Sequence, residues 1–468
     1  MPATAIELRA KRGQPLGMPP ARFLRDYWQK RPLLIRGAFP DFTPPLSPDD
    51  LAGLACMDGA LARIVLHHGG KAKSLDDSPH PRLALRAIGS ADVRSGILPA
   101  QSGFRAARGP GMTKKNTSCA GSAANDGKWE VRTGPFDDAT FAKLPDSNWT
   151  LLVQDVDKWD ADTAALLDHF PFIPSWRIDD VMISYAVDGG GVGAHVDQYD
   201  VFLVQGLGQR RWAIDTRPNP PTDFRDDVEL KLLKVFSPTH EWVLEPGDVL
   251  YLPPGVPHDG VAIGECMTFS VGMRAPSAAE MLTDFAHALA EQLPEERRYA
   301  DPDLQAVRET GEIDDAAVAR AMRAMPWLRV DAESNRQKRE GDHDGFARSV
   351  PASTLRTWFG CFITRYRIAQ VPVPRKRPVD RSLLAHKLPH SVLERDPWSR
   401  FAWCRNGRDA SLFVDGHVHA APLAWARALS ARTRAFDGGA LAKLPQRARG
   451  VALLADLIDA GHLHLRKR

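Results

Sequence analysis

The sequence predicts an α+β protein in which a double-stranded β-helix, or jelly roll, is followed by a helical domain and a winged-helix-like domain. Short apolar segments separated by glycine- and proline-containing turns between residues 180 and 272 predict the jelly roll. Apolar residues at helical spacing after Ser277 predict the helices. Short strands and helices beyond Val371 predict the last domain. We therefore expect domains at 1–275, 276–370 and 371–468.

The N-terminal part is expected to contain helices, strands and one long insertion. Pro32 should end the first helix, and Ser47, followed by Pro-Asp-Asp, fits the N-cap of the second. Residues 67–125 are rich in Gly, Ser, Lys and Ala without periodicity, so we expect a mobile insertion there. The remaining elements predicted here are strands at 33–36, 62–66, 129–132 and 149–156, and a helix at 160–170.

Six strands are predicted for the jelly roll, each bounded by turn residues. The second and third of them should be separated by a turn at Gly206–Gly208. The six segments are 180–187, 197–205, 210–215, 241–244, 249–252 and 267–272.

The C-terminal part begins with a helix at 277–293, where Ser277 and Glu280 fit a capping box. Its apolar stripe could be shared with another copy of the chain, so a dimer is expected. Val371–Pro378 is predicted to be a stiff linker. The other predicted elements are helices at 316–325, 351–366, 422–431 and 450–460, and strands at 401–405 and 411–414.

Composition argues against a membrane-spanning protein and against one stabilised by disulfides or structural zinc. The chain is 43% hydrophobic and 25% charged, which is ordinary for a globular protein, and it has no run of about 18 apolar residues. No signal peptide is predicted. Its five cysteines are scattered, without a C-x-x-C pair, which favours a reducing cytosol over disulfides or structural zinc. The net charge of +3 conceals an asymmetry, because the part beyond Val371 has 18 Lys/Arg against 8 Asp/Glu. This basic tail is either a binding surface or ordinary solvated charge.

Two histidines and one aspartate form the main candidate site. His195 and Asp197 stand two residues apart, so on a strand both side chains point to one face. His258 ends a G-x5-P-x-G-x2-H pattern that resembles the second motif of the cupin barrels. Two imidazoles and one carboxylate on one face of an ion leave coordination positions open, which is typical of non-haem Fe(II) oxygenases. We therefore predict that His195, Asp197 and His258 are metal ligands and catalytic residues.

Such iron centres usually take 2-oxoglutarate as co-substrate with O2. The keto-acid end of 2-oxoglutarate would bind the metal, and its far carboxylate would need a buried cation. Strand alternation places Arg210 on the same face as Trp212 and Ile214, and Arg211 on the opposite face. An inward arginine suits a bidentate grip on the far carboxylate, whereas the alternative is a salt bridge across the barrel. Ser184 and Thr268, on flanking strands, are predicted to add hydroxyl groups to the co-substrate site.

Five segments resemble the bacterial JmjC ribosomal oxygenases, among them the arginine hydroxylase of a large-subunit ribosomal protein. They are 178–184, 189–202, 205–212, 245–258 and 269–276. The resemblance covers 128–276 and 23–36 most strongly and weakens towards the end of the chain. It implies the same three ligands, Arg210 as the 2-oxoglutarate anchor, a helical dimerisation domain and a winged-helix domain. The long insertion and the more basic tail depart from the pattern.

The function predicted from the sequence is Fe(II)- and 2-oxoglutarate-dependent hydroxylation of an arginine in a large-subunit ribosomal protein, in the cytoplasm. The expected partners are that protein, a second copy of the chain and, weakly, RNA through the basic C-terminal domain. One alternative is a JmjC oxygenase with another substrate: a histidine hydroxylase, a lysine demethylase or an RNA-base hydroxylase. The other is a non-enzymic metal-binding cupin with a nucleic-acid-binding tail.

Overall fold

A computed structural model describes residues 6–11, 14–68, 127–304, 315–324 and 352–467. Most of the predicted insertion at 67–125 lies outside these residues. The chain divides into two compact units, Met1–Ala275 and Pro276–Arg468. Among the described helices, none has the length and apolar character needed to cross a membrane.

The first unit is built around one large sheet. Its helices are α1 (Pro20–Asp26), α2 (Pro48–Ala55), α3 (Asp138–Phe141), α4 (Val156–Trp159) and α5 (Ala161–Ala165). Its strands are β1 (Glu7–Arg9), β2 (Leu33–Arg36), β3 (Ala62–His68), β4 (Lys128–Thr133), β5 (Trp149–Val153), β6 (Ile178–Ala186), β7 (His195–Val196), β8 (Val201–Ile214), β9 (His240–Leu244), β10 (Val249–Leu252) and β11 (Pro257–Met273).

The strands pair in the order β1-β2-β10-β8-β11-β6-β5-β3-β4, with β7 added to β11 and β9 to β8. Two apolar layers result from strand alternation. The inner layer fills the jelly roll with Leu203, Trp212, Ile214 and Leu250 among others. The outer layer is a larger core in which Phe23, Leu51 and Phe269 are fully buried. The jelly roll predicted from the sequence is confirmed.

The turn predicted at Gly206–Gly208 is wrong. β8 runs without interruption from Val201 to Ile214 and pairs with β11 on both sides of Gly208. The glycine has a positive φ of 58°, and the register shifts between Ile263 and Met267 on the partner strand. The glycines therefore allow a long strand to bend at a β-bulge. β11 was likewise predicted only over 267–272, whereas it runs from Pro257 to Met273.

The second unit contains helices and two small sheets. Its helices are α6 (Ala278–Ala290), α7 (Asp315–Ala324), α8 (Ala352–Arg365), α9 (Arg381–Lys387), α10 (Leu423–Leu429), α11 (Gly438–Ala442) and α12 (Arg447–Asp459). Its strands are β12 (Ser391–Arg395), β13 (Phe401–Asn406), β14 (Asp409–Val414), β15 (His417–Pro422), β16 (Ala435–Asp437) and β17 (Leu463–Lys467).

The core of the second unit surrounds Trp425, which is fully buried. A Cβ at Gly450 would collide with the Trp425 indole, so glycine lets α12 approach α10 closely. α8 packs on β13, β14 and β15. By contrast, α6 has no buried residue, although the predicted capping box of Ser277 and Glu280 is present.

Candidate metal and co-substrate site

The three predicted metal ligands meet at one point inside the jelly roll. His195 and His258 are direct partners across β7 and β11, so their side chains lie on the same face. The Asp197 carboxylate oxygen Oδ2 is 3.9 Å from His195 Nε2 and 3.6 Å from His258 Nε2. Ligand atoms of all three residues lie within 4.8 Å of one another, a set that could hold a metal ion. This geometry agrees with the ligand set predicted from the sequence.

Backbone carbonyl groups orient both imidazoles. His195 Nδ1 is 2.8 Å from the Gly193 carbonyl oxygen, and His258 Nδ1 is 2.9 Å from that of Val256. With Nδ1 as the donor in each ring, Nε2 carries the free lone pair and faces Asp197. Burial, reinforced by the neighbouring His195, lowers the pKa of His258 to about 4. The ring is therefore neutral at physiological pH, as a metal ligand must be.

Glycines hold the two ligand-bearing loops close together. A Cβ at Gly191 would stand 2.6 Å from the Gly260 carbonyl oxygen, so a larger residue would push the first loop away from β11. Gly255 has a φ of 82°, and its N–H donates to the Asp197 carbonyl oxygen at 2.8 Å. The two motifs that are distant in sequence are thus joined through the backbone beside the ligands.

Arg210 lies inside the jelly roll with only 5% of its surface exposed. Its Nη1 donates to Ser184 Oγ at 3.1 Å, and its Nε points at Cys266 Sγ at 3.4 Å. Its Nη2 is buried and meets no acceptor within the described part of the chain. The barrel-spanning salt bridge considered as an alternative is not found among the described residues. An unpaired, buried guanidinium donor is what a carboxylate ligand would satisfy.

The other predicted residues have different surroundings. Ser184 contacts Arg210, as expected of a co-substrate residue. Thr268 is buried, but its hydroxyl donates to Gln205 Oε1 at 3.1 Å and not to the space beside Arg210. Its direct role in co-substrate binding stays a prediction.

Asp179, Asp188 and Asp200 lie near the site motifs in the sequence, where they could either line a pocket for a cationic substrate or stabilise turns and caps. Asp200 is fully buried and accepts from Tyr251, Gln29 and Arg177. Asp179 pairs with Arg274 at 3.1 Å. Asp188 accepts from the Gly264 N–H at 2.9 Å. These contacts agree with the structural roles.

Sequence reasoning assigned no role to Cys266 and Trp212, which both adjoin Arg210. For Trp212 a signal existed, because alternation placed it on the inward face. For Cys266 there was none, since its position opposite Ala186 depends on the pairing of β11 with β6, which the sequence does not specify.

Comparison with known proteins finds a domain match for the part of the chain that carries the three candidate ligands. A model of the JmjC domain matches residues 165–281, which include all three candidate ligands. Residues 165–281 are therefore identified as a JmjC domain. A model of the ROXA-like winged helix matches residues 347–464, and one of the AraC-like ligand binding domain matches 235–337.

Curated proteins similar to this chain include ribosomal oxygenases. It is 36% identical over 289 residues to "Ribosomal protein uL16 3-hydroxylase" of Escherichia coli strain K12, covering 60% of each chain. It is 32% identical over 280 residues to a "Probable ribosomal oxygenase" of Haemophilus influenzae, covering 59% of this chain and 54% of that protein. The matched region thus spans about 60% or less of these relatives' length.

Solved structures match over nearly the whole chain. YcfD, a ribosomal oxygenase from Escherichia coli, superposes with a TM-score of 0.64 at 29% identity, covering 96% of this chain and 98% of that one. YcfD in complex with cobalt and 2-oxoglutarate superposes with a TM-score of 0.66 at 28% identity and the same coverage. The resemblance drawn from the sequence, the fold class and the winged-helix domain are confirmed.

Proposed function

We propose that this chain is an Fe(II)- and 2-oxoglutarate-dependent oxygenase that hydroxylates an arginine side chain of a large-subunit ribosomal protein. The observation that carries the proposal is the buried Arg210, with an unpaired donor, inside the same jelly roll as a His-Asp-His triad. A barrel that only stored a metal ion would not need a dicarboxylate anchor. The YcfD complex with cobalt and 2-oxoglutarate supports the pairing of metal and co-substrate.

Each residue then has a defined task. His195, Asp197 and His258 hold the metal ion on one face, and Arg210 with Ser184 binds the far carboxylate of 2-oxoglutarate. When bound, iron supplies the activation of O2 that protein side chains cannot provide. The apolar inner layer around Leu203 and Leu250 excludes water from the reacting groups.

The substrate assignment rests on the relatives. The name of the Escherichia coli protein specifies ribosomal protein uL16, which supports a ribosomal protein substrate here. The resemblance to arginine hydroxylases supports arginine as the target residue. A ribosomal substrate in turn favours the cytoplasm as the place of action.

The second unit is proposed to provide assembly and an RNA-facing surface. α6 exposes apolar side chains, with Leu282 69% exposed, which supports dimerisation through 276–370. The basic domain at 371–468 would approach RNA through phosphate contacts, without reading bases. Such binding should weaken steeply as salt rises.

Mass spectrometry of ribosomal proteins from cells with and without this gene tests the proposal. We expect one large-subunit protein to lose the mass of one oxygen atom on an arginine when the gene is deleted. Purified protein with Fe(II) should consume 2-oxoglutarate. Consumption without any arginine modification would favour a JmjC oxygenase with another substrate. Absence of consumption would favour the non-enzymic cupin.

A further inference from the structure

Trp212 lies between the metal triad and the buried arginine. It is on β8 two residues after Arg210, faces the same interior, and is 5% exposed. The Arg210 Cζ atom is 5.8 Å from the centroid of the indole, and the His258 ring centroid is 5.9 Å from the indole on the triad side. A ligand that joins the metal to Arg210 must therefore pass beside this ring.

The indole N–H of Trp212 has no acceptor in the parts of the chain that the structure describes, although Nε1 is fully buried. Four other buried or half-buried indoles donate to protein oxygens: Trp149 to Pro145, Trp242 to Glu7, Trp358 to Asp284 and Trp425 to Pro445. A buried donor without an acceptor is costly, and most native proteins avoid it. Arg210 Nη2 is a second unpaired donor in the same interior. One ligand with several acceptor oxygens could satisfy both donors.

The ring cannot easily turn to find another partner. Gly260 stands directly opposite Trp212 in the β8–β11 pair. A Cβ at Gly260 would be 2.7 Å from Cη2 and Cζ3 of the indole, so the ring occupies the space that a side chain would take. The glycine thus provides the room in which the ring is packed, and the ring position is set by the strand pair.

We propose that Trp212 is a co-substrate-positioning residue whose indole N–H donates to the far carboxylate of 2-oxoglutarate, the group that Arg210 also binds. This inference rests on the proposed function. The two donors would hold the carboxylate from two sides and fix the ligand's orientation as well as its charge.

The test compares binding of 2-oxoglutarate to full-length, Mn(II)-loaded protein by calorimetry. Trp212 is replaced by 3-benzothienylalanine, which keeps the shape of the ring but has sulfur in place of N–H. We expect the Kd to rise about tenfold, the size of one hydrogen bond to a charged group. The same replacement at Trp242, which bonds to Glu7, is the control and should leave the Kd unchanged.

A second ligand identifies the acceptor. The monoacid 2-oxopentanoate lacks the far carboxylate, so the replacement at Trp212 should change its Kd less than about twofold. An equal loss of affinity for both ligands would overturn the assignment to the far carboxylate. If wild-type protein binds 2-oxoglutarate and Arg210→Ala weakens it, but the Trp212 replacement does not, this inference alone fails. If wild-type protein binds no 2-oxoglutarate, the proposed function fails with it.

Discussion

Two arginines adjacent in the sequence have opposite surroundings in the folded protein. Arg210 is buried beside Ser184 and Cys266, whereas the Arg211 side chain is 37% exposed and pairs with Glu241 on β9. Strand alternation alone predicted this difference. Because the two side chains have the same charge and length, replacing each in turn tests whether Arg210 binds 2-oxoglutarate.

Arg210→Ala should raise the KM for 2-oxoglutarate at least about 30-fold, because a buried charge-assisted pair contributes roughly 2–4 kcal/mol. Arg211→Ala should change it little, since an exposed ion pair contributes at most about 1 kcal/mol. Initial rates over a range of 2-oxoglutarate concentrations measure both. Equal, small effects would show that the inward face was assigned wrongly.

Replacing His195 or Asp197 by Ala should abolish iron-dependent turnover while leaving the fold intact, because each supplies one ligand of a three-ligand site. Circular dichroism checks the fold, and consumption of 2-oxoglutarate checks the activity. His240→Ala, on the edge strand β9, serves as the control and should remain active. Normal consumption by Asp197→Ala would disprove the ligand assignment.

Asp180 gives a pH-dependent prediction for stability. Burial, reinforced by the neighbouring Asp155 and Asp179, raises the pKa of its carboxyl group from 3.8 to about 7. Because the folded-state pKa lies above the unfolded one, stability is fully present below pH 3.8 and is lost progressively as pH rises towards 7.

The Asp180→Asn protein cannot ionise at this position, so its gain in Tm over the wild-type protein should be larger at pH 8 than at pH 5. Thermal unfolding at the two pH values measures the difference. The same substitution at the exposed Asp168 is the control for the effect of replacing a carboxylate by an amide. A larger gain at pH 5 would contradict the direction of the pKa shift.

At the scale of elements, sequence patterns predicted the ligands but not the full strands that carry them. His195, Asp197 and His258 were predictable because spacing and turn residues are local properties. The length of β8 and β11 was not, because Gly208 and Gly264 have the same positive φ that turns require. Whether such a glycine ends a strand or bends it depends on the partner strand, which the sequence does not specify. The contact between Arg210 and Cys266 depends on the same pairing.

Gly208 and Gly264 form a matched pair that tests the bulge. Their φ values are 58° and 66°, so an alanine costs about the same backbone strain at each, roughly 1–2 kcal/mol. Only at Gly208 would the new Cβ collide with the Glu265 carbonyl oxygen, whereas at Gly264 nothing lies within 4 Å. Gly208→Ala should therefore destabilise the protein by about 2 kcal/mol more than Gly264→Ala, and should weaken 2-oxoglutarate binding by displacing Arg210. Chemical denaturation and calorimetry measure the two effects. Equal destabilisation by the two substitutions would show that β8 and β11 can separate enough at residue 208 to relieve the contact with the Glu265 carbonyl oxygen.

For the whole molecule, we expect the second unit to be needed for dimerisation and for activity on a protein substrate. A protein ending at Ala275 should be monomeric and poorly active on the proposed ribosomal substrate, because the proposed dimerisation helices and the basic tail are removed. Light scattering measures the oligomeric state, and hydroxylation of a substrate protein measures the activity. Consumption of 2-oxoglutarate without substrate is the control and should persist. A dimeric, fully active truncated protein would show that 276–468 serves neither purpose.

The regular pairing of β8 with β11 from His258 to Ala262 determines the spacing between the metal triad and Arg210. His258 is opposite Ile214, and Arg210 is opposite Ala262, so the triad and the anchor are four residues apart along the same ladder. Four residues of strand correspond to about 13 Å between Cα atoms, a distance fixed by hydrogen bonds. The strand pair therefore fixes the distance between the two groups proposed to bind the two ends of 2-oxoglutarate. This spacing is set by the strand pair and does not depend on the loops around the site.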